Sequence, residues 1–467
     1  MSAAAPALDL RAAFDRLRAA ALADPFPDAA ARRGLLARLD GALMRHQEAL
    51  IEAVNRDFSC RSKQETIFAE IFTTREAIKH NRAHLRDWMR RRYRDVALAL
   101  QPARTWIEPQ PLGVVGIISP WNYPVLLALG PLAAALAAGN RVMIKPSEFT
   151  PATADLLRRL LGEAFPADRV AVITGDAETG RAFASLPFDH LLFTGSTAVG
   201  RAVMRAAAEN LTPVTLELGG KSPALVAEDA DLGKAAADIA YGKVFNAGQT
   251  CIAPDYVLAP RDKRAELIEA LRAAARRFYP QGTADENYTA IVNDRHYARL
   301  RGYLDEIARR GVETVPLLAE SGARKMAPTL VLEPPDDLAV MQEEIFGPLL
   351  PVKTYAAWGD ALDYINARPR PLTLYLFTRS SRVRDEVARR TTSGSLCVND
   401  TLVHVADENL PFGGVGASGM GCYHGREGFE TFSKLKPVFV RTVPGAGGVV
   451  RPPYGKIHRW MRKLLVG

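Results

Sequence analysis

The 467-residue sequence predicts an α/β protein of two doubly wound α/β domains, with a strand-like arm outside both cores. Three observations carry this. Short, continuously apolar segments alternate with helical patterns twice along the chain, as expected for parallel strands covered on both faces. Glycine or Ser-Pro closes several of these segments, where a strand must turn into a helix. Two Pro-bearing extended segments, ARTWIEPQP (103–111) and KLKPVFVRT (434–442), belong to neither series.

In order, residues 1–100 read as helices rich in Arg and Ala. The first is amphipathic, with Leu10, Phe14 and Leu17 on one face. RDWMRRRYR (86–94) reads as a solvated basic helix end. GVVGII (113–118) is then a strand, and the apolar stretch 124–138 a buried helix. RVMIK (141–145), RVAVITG (169–175), HLLFTG (190–195) and PVTLELGG (213–220) are strands. Helices at 151–164, 177–185 and 197–210 separate them, the first opened by Thr150-Pro151. Right-handed crossovers make this series a Rossmann-type cofactor domain. SPALVA (222–227) begins the second series, followed by a helix over 231–245. DYVLA, PTLVLE, LLPVKTY, LTLYLFT and SLCVN are further strands, with helices near 262–277, 358–366 and 380–391. The expected division is 1–101 with 112–216, then 217–401. Residues 102–111 and 402–445 form an oligomerisation arm and active-site rim, and 446–467 a tail.

Composition narrows the function. The chain is 48% hydrophobic with a net charge of +8, which suits anionic ligands. Without an RNP-like, zinc-finger or helix-turn-helix signature, no nucleic-acid partner is expected. Cys60, Cys251, Cys397 and Cys422 lack paired spacing, so neither a disulfide framework nor a metal site is expected. The N-terminus has no basic segment followed by an apolar one, and the longest apolar run (124–139) is too short to span a bilayer. A reducing cytoplasm is the expected compartment. The tail KIHRWMRKLLVG (456–467) is basic and reads as solvated or packed at an interface, with contact to an anionic membrane surface as the alternative.

Several stretches carry candidate chemistry. FTGSTAVG (193–200) places Gly195 and Ser196 at a strand-to-helix turn, where backbone N–H groups and the helix dipole favour phosphate; an ordinary βα turn reads the same way. Lys145 ends a neighbouring strand and can reach ribose hydroxyls or phosphate. Glu148, three residues on, can accept from an adenosine ribose 2′-OH, which favours NAD over NADP. NAGQTCIAP (246–254) sets Cys251 among small residues that leave room for a carbonyl beside the sulfur. A reactive cysteine there requires a lowered pKa; an inert loop cysteine is the alternative. Glu217, at the end of an apolar strand before Gly219-Gly220, reads as a desolvated general base or a structural glutamate. Asn122, held between the prolines of PWNYP, can donate to an oxyanion or cap the next helix.

Together PWNYP, IKPSE, FTGS, LELGGKSP, NAGQTC, EEIFGP (343–348) and PFGGVGASGMG (411–421) resemble the aldehyde dehydrogenase superfamily, in its motif order and over roughly residues 10–445. NAGQTCIAPDY, the short N-terminus and GMGCYHGREGFETFSK are similar to its class 3 branch. PWNYPVLLALGPLAAALAAGNRVMIKPSE and NAGQTCIAPDYVL are most similar to bacterial coniferyl aldehyde dehydrogenases.

The resemblance implies that Cys251 is the nucleophile, Glu217 the general base, and Asn122 an oxyanion donor with the Cys251 N–H. It implies cofactor contacts from Lys145, Glu148, Gly195, Ser196, Trp121, Glu344 at the nicotinamide ribose, and Phe346 beside the nicotinamide. The implied reaction is NAD-dependent, with NADP admitted: thiolate attack on an aldehyde, hydride loss to give a thioester, then hydrolysis to the acid. A homodimer is implied as well. Rival readings are a fatty aldehyde dehydrogenase, an enzyme passing the acyl group to coenzyme A, a Cys–His thiol hydrolase, and a catalytically silent binding protein on the same fold. His404 and His424 are placed near the expected active-site rim or dimer contact, without a catalytic role.

Overall fold

The computed structural model describes residues 10–443 and 451–465. Five parallel strands form the first sheet, with a two-residue antiparallel strand, Gly419–Met420, at one edge. Their spatial order is Val214–Glu217, His190–Thr194, Val114–Ile118, Arg141–Lys145 and Val170–Val172. The chain therefore winds outward from Val114–Ile118 in one direction, then returns to its other side. That reversal opens a crevice at the carboxyl ends of Val114–Ile118 and His190–Thr194, the usual ligand position in such sheets.

Four of these strands are buried at every position, as their largely apolar runs predict. Leu126–Ala137 is buried at all but its first residue, because helices pack on it from several directions. Its alanines let those neighbours approach closely. The helices Leu10–Ala23 through Thr73–Trp88 make up most of residues 10–88, and Phe14 and Leu17 are fully buried.

The second sheet has seven strands in the order Thr314–Pro316, Thr329–Leu332, Leu349–Tyr355, Tyr256–Pro260, Pro223–Val226, Thr373–Phe377 and Ser395–Val398. All pairings are parallel except that of Thr314–Pro316. The two extended segments pair with one another: Ala103–Pro111 runs antiparallel to Ser433–Arg441 over nine residue pairs. Arg92–Arg94 joins their free edge. The basic cluster at 86–94 is thus only partly a helix end. The helix stops at Trp88, and Arg92 turns back to pair with Glu430 at 2.7 Å.

One buried base predicts how stability follows pH. His190 lies within the first sheet, hydrogen-bonded to Thr215 Oγ1 at 2.9 Å and edge-on to Phe432. Burial lowers its pKa to about 4. Between pH 6.5 and 4 the unfolded chain takes up this proton and the folded one does not, so this histidine's contribution to stability falls as pH falls. Buried carboxylates with raised pKa values act in the opposite sense, so the difference between variants is the readout. His190→Gln is expected to lose less melting temperature than the wild type between pH 6.5 and 4. Parallel slopes in thermal melts would contradict the assignment.

Candidate active site

The crevice holds a cavity of about 450 Å³ lined by residues from both sheets. From the first sheet come Trp121 and Asn122, after Val114–Ile118; Gly195 and Ser196, after His190–Thr194; and Glu217, at the end of the next strand. From the second come Cys251, Glu344 and Phe346. Eight of the ten candidates from the sequence are therefore brought together. Lys145 and Glu148 are not among the lining residues. They pair with each other at 3.0 Å at the end of the adjacent strand, Arg141–Lys145.

The loop carrying Cys251 is fixed by its polar neighbours. Gln249 is fully buried and its side chain is bonded at both ends: it donates to the Asn246 and Ala290 carbonyls and accepts from the Val292 N–H. Thr250 Oγ1 lies 2.6 Å from the Tyr123 hydroxyl. Gly248 has φ +71°, and a Cβ there would overlap the Gly347 carbonyl, so the loop needs glycine at this point. The small polar stretch in the sequence is thus a tightly bonded loop that leaves the cysteine half-buried at the cavity wall.

Asn122 is not a helix cap. The following helix is capped by Glu70, whose Oε2 accepts from the Val125 and Leu126 N–H groups at 2.6 and 3.3 Å. The Asn122 amide instead donates to the Gln249 carbonyl at 3.2 Å, beside the cysteine loop. Glu217 is buried, and neither carboxylate oxygen has a hydrogen-bond partner among the described residues. Desolvation raises its pKa well above the ordinary value. A Cβ on Gly219 would overlap the Glu344 carboxylate, so a larger residue there would displace that side chain. Glu344 is raised to about 8, first by desolvation and then by Asp255.

The Cys251 thiol is raised, not lowered, to about 12. Desolvation is the main cause, followed by the negative charges of Glu344 and Glu217. Among the described residues, no cation contributes to the Cys251 shift in the way a low thiol pKa requires.

The helix Asp294–Arg309 went unread in the sequence, and it supplies His296 and Arg299 to the cavity. The His296 ring packs against Trp121 at 4.9 Å, and Trp121 against Phe346 at 5.3 Å. Arg299 donates to the Ile345 carbonyl at 2.7 Å and to the Tyr303 hydroxyl at 2.9 Å. Tyr303 in turn donates to Glu343 at 2.6 Å, so this helix holds the Glu343–Phe346 loop in place. Asn293, which accepts from the His296 N–H, was the available start signal, with Leu300, Tyr303 and Ile307 as the apolar stripe.

The aldehyde dehydrogenase family model matches residues 3–438. The chain belongs to the aldehyde dehydrogenase family. A relative named probable coniferyl aldehyde dehydrogenase, from Pseudomonas aeruginosa, is 54% identical over 458 residues, covering 98% of this chain and 96% of the relative. Among solved structures, a substrate-bound state of Staphylococcus aureus AldH superposes with a TM-score of 0.92 at 39% identity, covering 97% of this chain and 99% of that one. An NAD+ complex of an aldehyde dehydrogenase from Bacillus cereus gives 0.85 at 26% identity, covering 93% and 89%. This aldehyde dehydrogenase thus combines the paired α/β sheets of its family with one cavity between them. No described helix is long and apolar enough to cross a membrane.

Proposed function

We propose that the protein oxidises an aromatic, coniferyl-type aldehyde to its carboxylic acid, using NAD, with NADP admitted. The convergence of Cys251, Glu217 and Asn122 on one cavity carries this reading. The substrate class is supported by the 54% identical relative, which is named a probable coniferyl aldehyde dehydrogenase.

The cavity suits a dinucleotide. Glu217, Glu344 Oε1 and Thr194 Oγ1 present buried oxygens without partners among the described residues, ready to meet hydroxyl groups or water. The helix Thr197–Ala208, N-capped by Ser196, opens on the same space and favours phosphate. In this reading Gly195 and Ser196 hold the pyrophosphate, Glu344 the nicotinamide ribose, and Trp121 with Phe346 the nicotinamide. Lys145 and Glu148, outside the cavity, take the adenosine ribose.

Cys251 Sγ attacks the aldehyde carbon. With a thiol pKa near 12, its proton must pass to a base, and the buried carboxylates that raise that pKa are themselves acceptors. Asn122 Nδ2 and the Cys251 N–H donate to the oxygen of the tetrahedral adduct, a contribution typically of about 10²–10³ in rate per donor. A dinucleotide held as above would supply the acceptor for the hydride of this adduct, and Cys251 would then carry a thioester. Glu217 takes a proton from water, whose oxygen attacks the thioester carbon; the acid departs and the thiolate is restored. Aldehyde, water and oxidised dinucleotide give acid, reduced dinucleotide and a proton.

The fold is read as a cofactor unit (1–101 with 112–216), a catalytic unit (217–401) and an arm with the rim (102–111 and 402–445). The exposed Phe439 and Val440 on the arm support pairing with a second copy, a homodimer. A cytoplasmic location fits four free cysteines.

Coniferaldehyde and a long-chain alkanal, offered side by side with NAD+, test the substrate class. The expected result is a kcat/KM at least about 10-fold higher for coniferaldehyde, within the range that apolar pocket fit provides. Preference for the alkanal would move the protein to the fatty aldehyde branch.

A further inference from the structure

A buried charged cluster lies against the cavity loops without lining the cavity. Arg61 is 1% exposed, and its Nη1 donates to the backbone carbonyl of Asn122 at 2.9 Å. Its Nε lies 3.6 Å from Glu65 Oε2 and its Nη2 3.9 Å from Glu70 Oε1, distances of ion pairing and not of good hydrogen bonds. The rings of Phe58 and Tyr123 each lie 5.0 Å from its guanidinium carbon. Glu65, one helical turn on, accepts from the Asn246 N–H at 3.1 Å and from Thr289 Oγ1 at 2.7 Å.

These contacts join the two loops that the reaction needs in register. The Asn122 carbonyl accepts both from Arg61 and from Asn246 Nδ2, the latter at 3.2 Å. Asn246 and Ala247 both have φ +50°, a left-handed pair without glycine, directly upstream of Gly248 and Cys251. Such residues are strained and persist where their surroundings hold them. Asn246 is held at its backbone N–H by Glu65 and at its side chain by the Asn122 and Gln249 carbonyls. A buried ion pair is weak evidence for stability, since desolvation offsets much of its attraction. A positioning role accounts better for its two hydrogen bonds to the catalytic loops.

We propose that Arg61 and Glu65 are positioning residues that clamp the Asn122 loop to the Cys251 loop and so set the oxyanion geometry. This rests on Asn122 being the oxyanion donor. Neither residue touches substrate. Arg61→Lys keeps the charge but loses the planar fork that reaches the Asn122 carbonyl while facing Glu65.

The test is a double-mutant cycle in kcat: wild type, Arg61→Lys, Asn122→Ala and the double variant, with the KM for NAD+ and thermal melts recorded for each. Asn122→Ala is expected to lose about 10²–10³ in kcat. Arg61→Lys is expected to lose about 10-fold or more, with an unchanged KM for NAD+, and to cost less than about twofold further once Asn122 is gone. A packing defect alone would cost the same factor in both backgrounds. Equal losses in the two backgrounds, or a wild-type kcat in Arg61→Lys, would overturn the clamp alone. Wild-type kcat in Asn122→Ala would overturn the donor assignment and the clamp with it. If Arg61→Lys does not fold, Glu65→Gln, which keeps the shape and removes the charge facing Arg61, takes its place in the same cycle under the same criteria.

Discussion

Cys251→Ala is expected to abolish NADH formation, by about 10⁴-fold or more, while leaving NAD+ binding and the melting temperature near wild type. The magnitude follows from losing the atom that forms the covalent bond; removing a nucleophile of this kind leaves only residual catalysis from the remaining groups. The small structural cost follows from the site. The cysteine is half-buried at a cavity wall, and its loop is held by Gln249, Thr250 and Asn246 and not by the sulfur. NAD+ titration by intrinsic fluorescence and steady-state NADH absorbance measure the two halves of this result. Substantial turnover in the variant would mean that the chemistry does not pass through this thiol.

Glu217→Gln is expected to separate the two half-reactions. Thiol attack and hydride loss leave a thioester, whose hydrolysis requires a base on water. Rapid mixing with aldehyde and NAD+ should give a burst of about one NADH per subunit, then a steady rate about 10²–10⁴-fold below wild type. The pH dependence follows from the direction of the Glu217 shift. Desolvation holds its pKa well above the ordinary carboxylate range, so more of it is ionised as pH rises. Where hydrolysis limits the wild-type enzyme, kcat should climb with pH, and that limb should vanish in Glu217→Gln. A variant that shows neither burst nor steady turnover would assign Glu217 to the first half-reaction, as acceptor of the Cys251 proton.

The parallel sheets were legible because burial on both faces leaves an unbroken apolar run, as in His190–Thr194 and Thr373–Phe377. Edge strands give no such signal. Arg92–Arg94 is RYR, half in solvent, and only its pairing with Ala103–Pro111 makes it a strand. Gly419–Met420 is two residues long and is defined by its contact with the strand of Glu217. Asp294–Arg309 carries a readable apolar stripe, but its charge density hid it, and with it His296 and Arg299.

Within the site, Cys251, Glu217 and Asn122 were legible as residue types beside glycines and prolines. The Cys251 pKa was not, because carboxylates from two distant segments, at 217 and 344, surround it only in the fold. Arg61 and Glu65 were equally hidden. In sequence they are two charges among many in a polar segment, and nothing local reveals that Arg61 reaches the Asn122 carbonyl, 61 residues away.

The covalent route through Cys251 is tested most directly by intact mass measurement of Glu217→Gln after brief incubation with coniferaldehyde and NAD+. The expected product is a single adduct on Cys251 with the mass of the aldehyde less two hydrogen atoms, the signature of a thioester formed after hydride loss. An unmodified protein that has nevertheless produced NADH, or an adduct on any other residue, would contradict it.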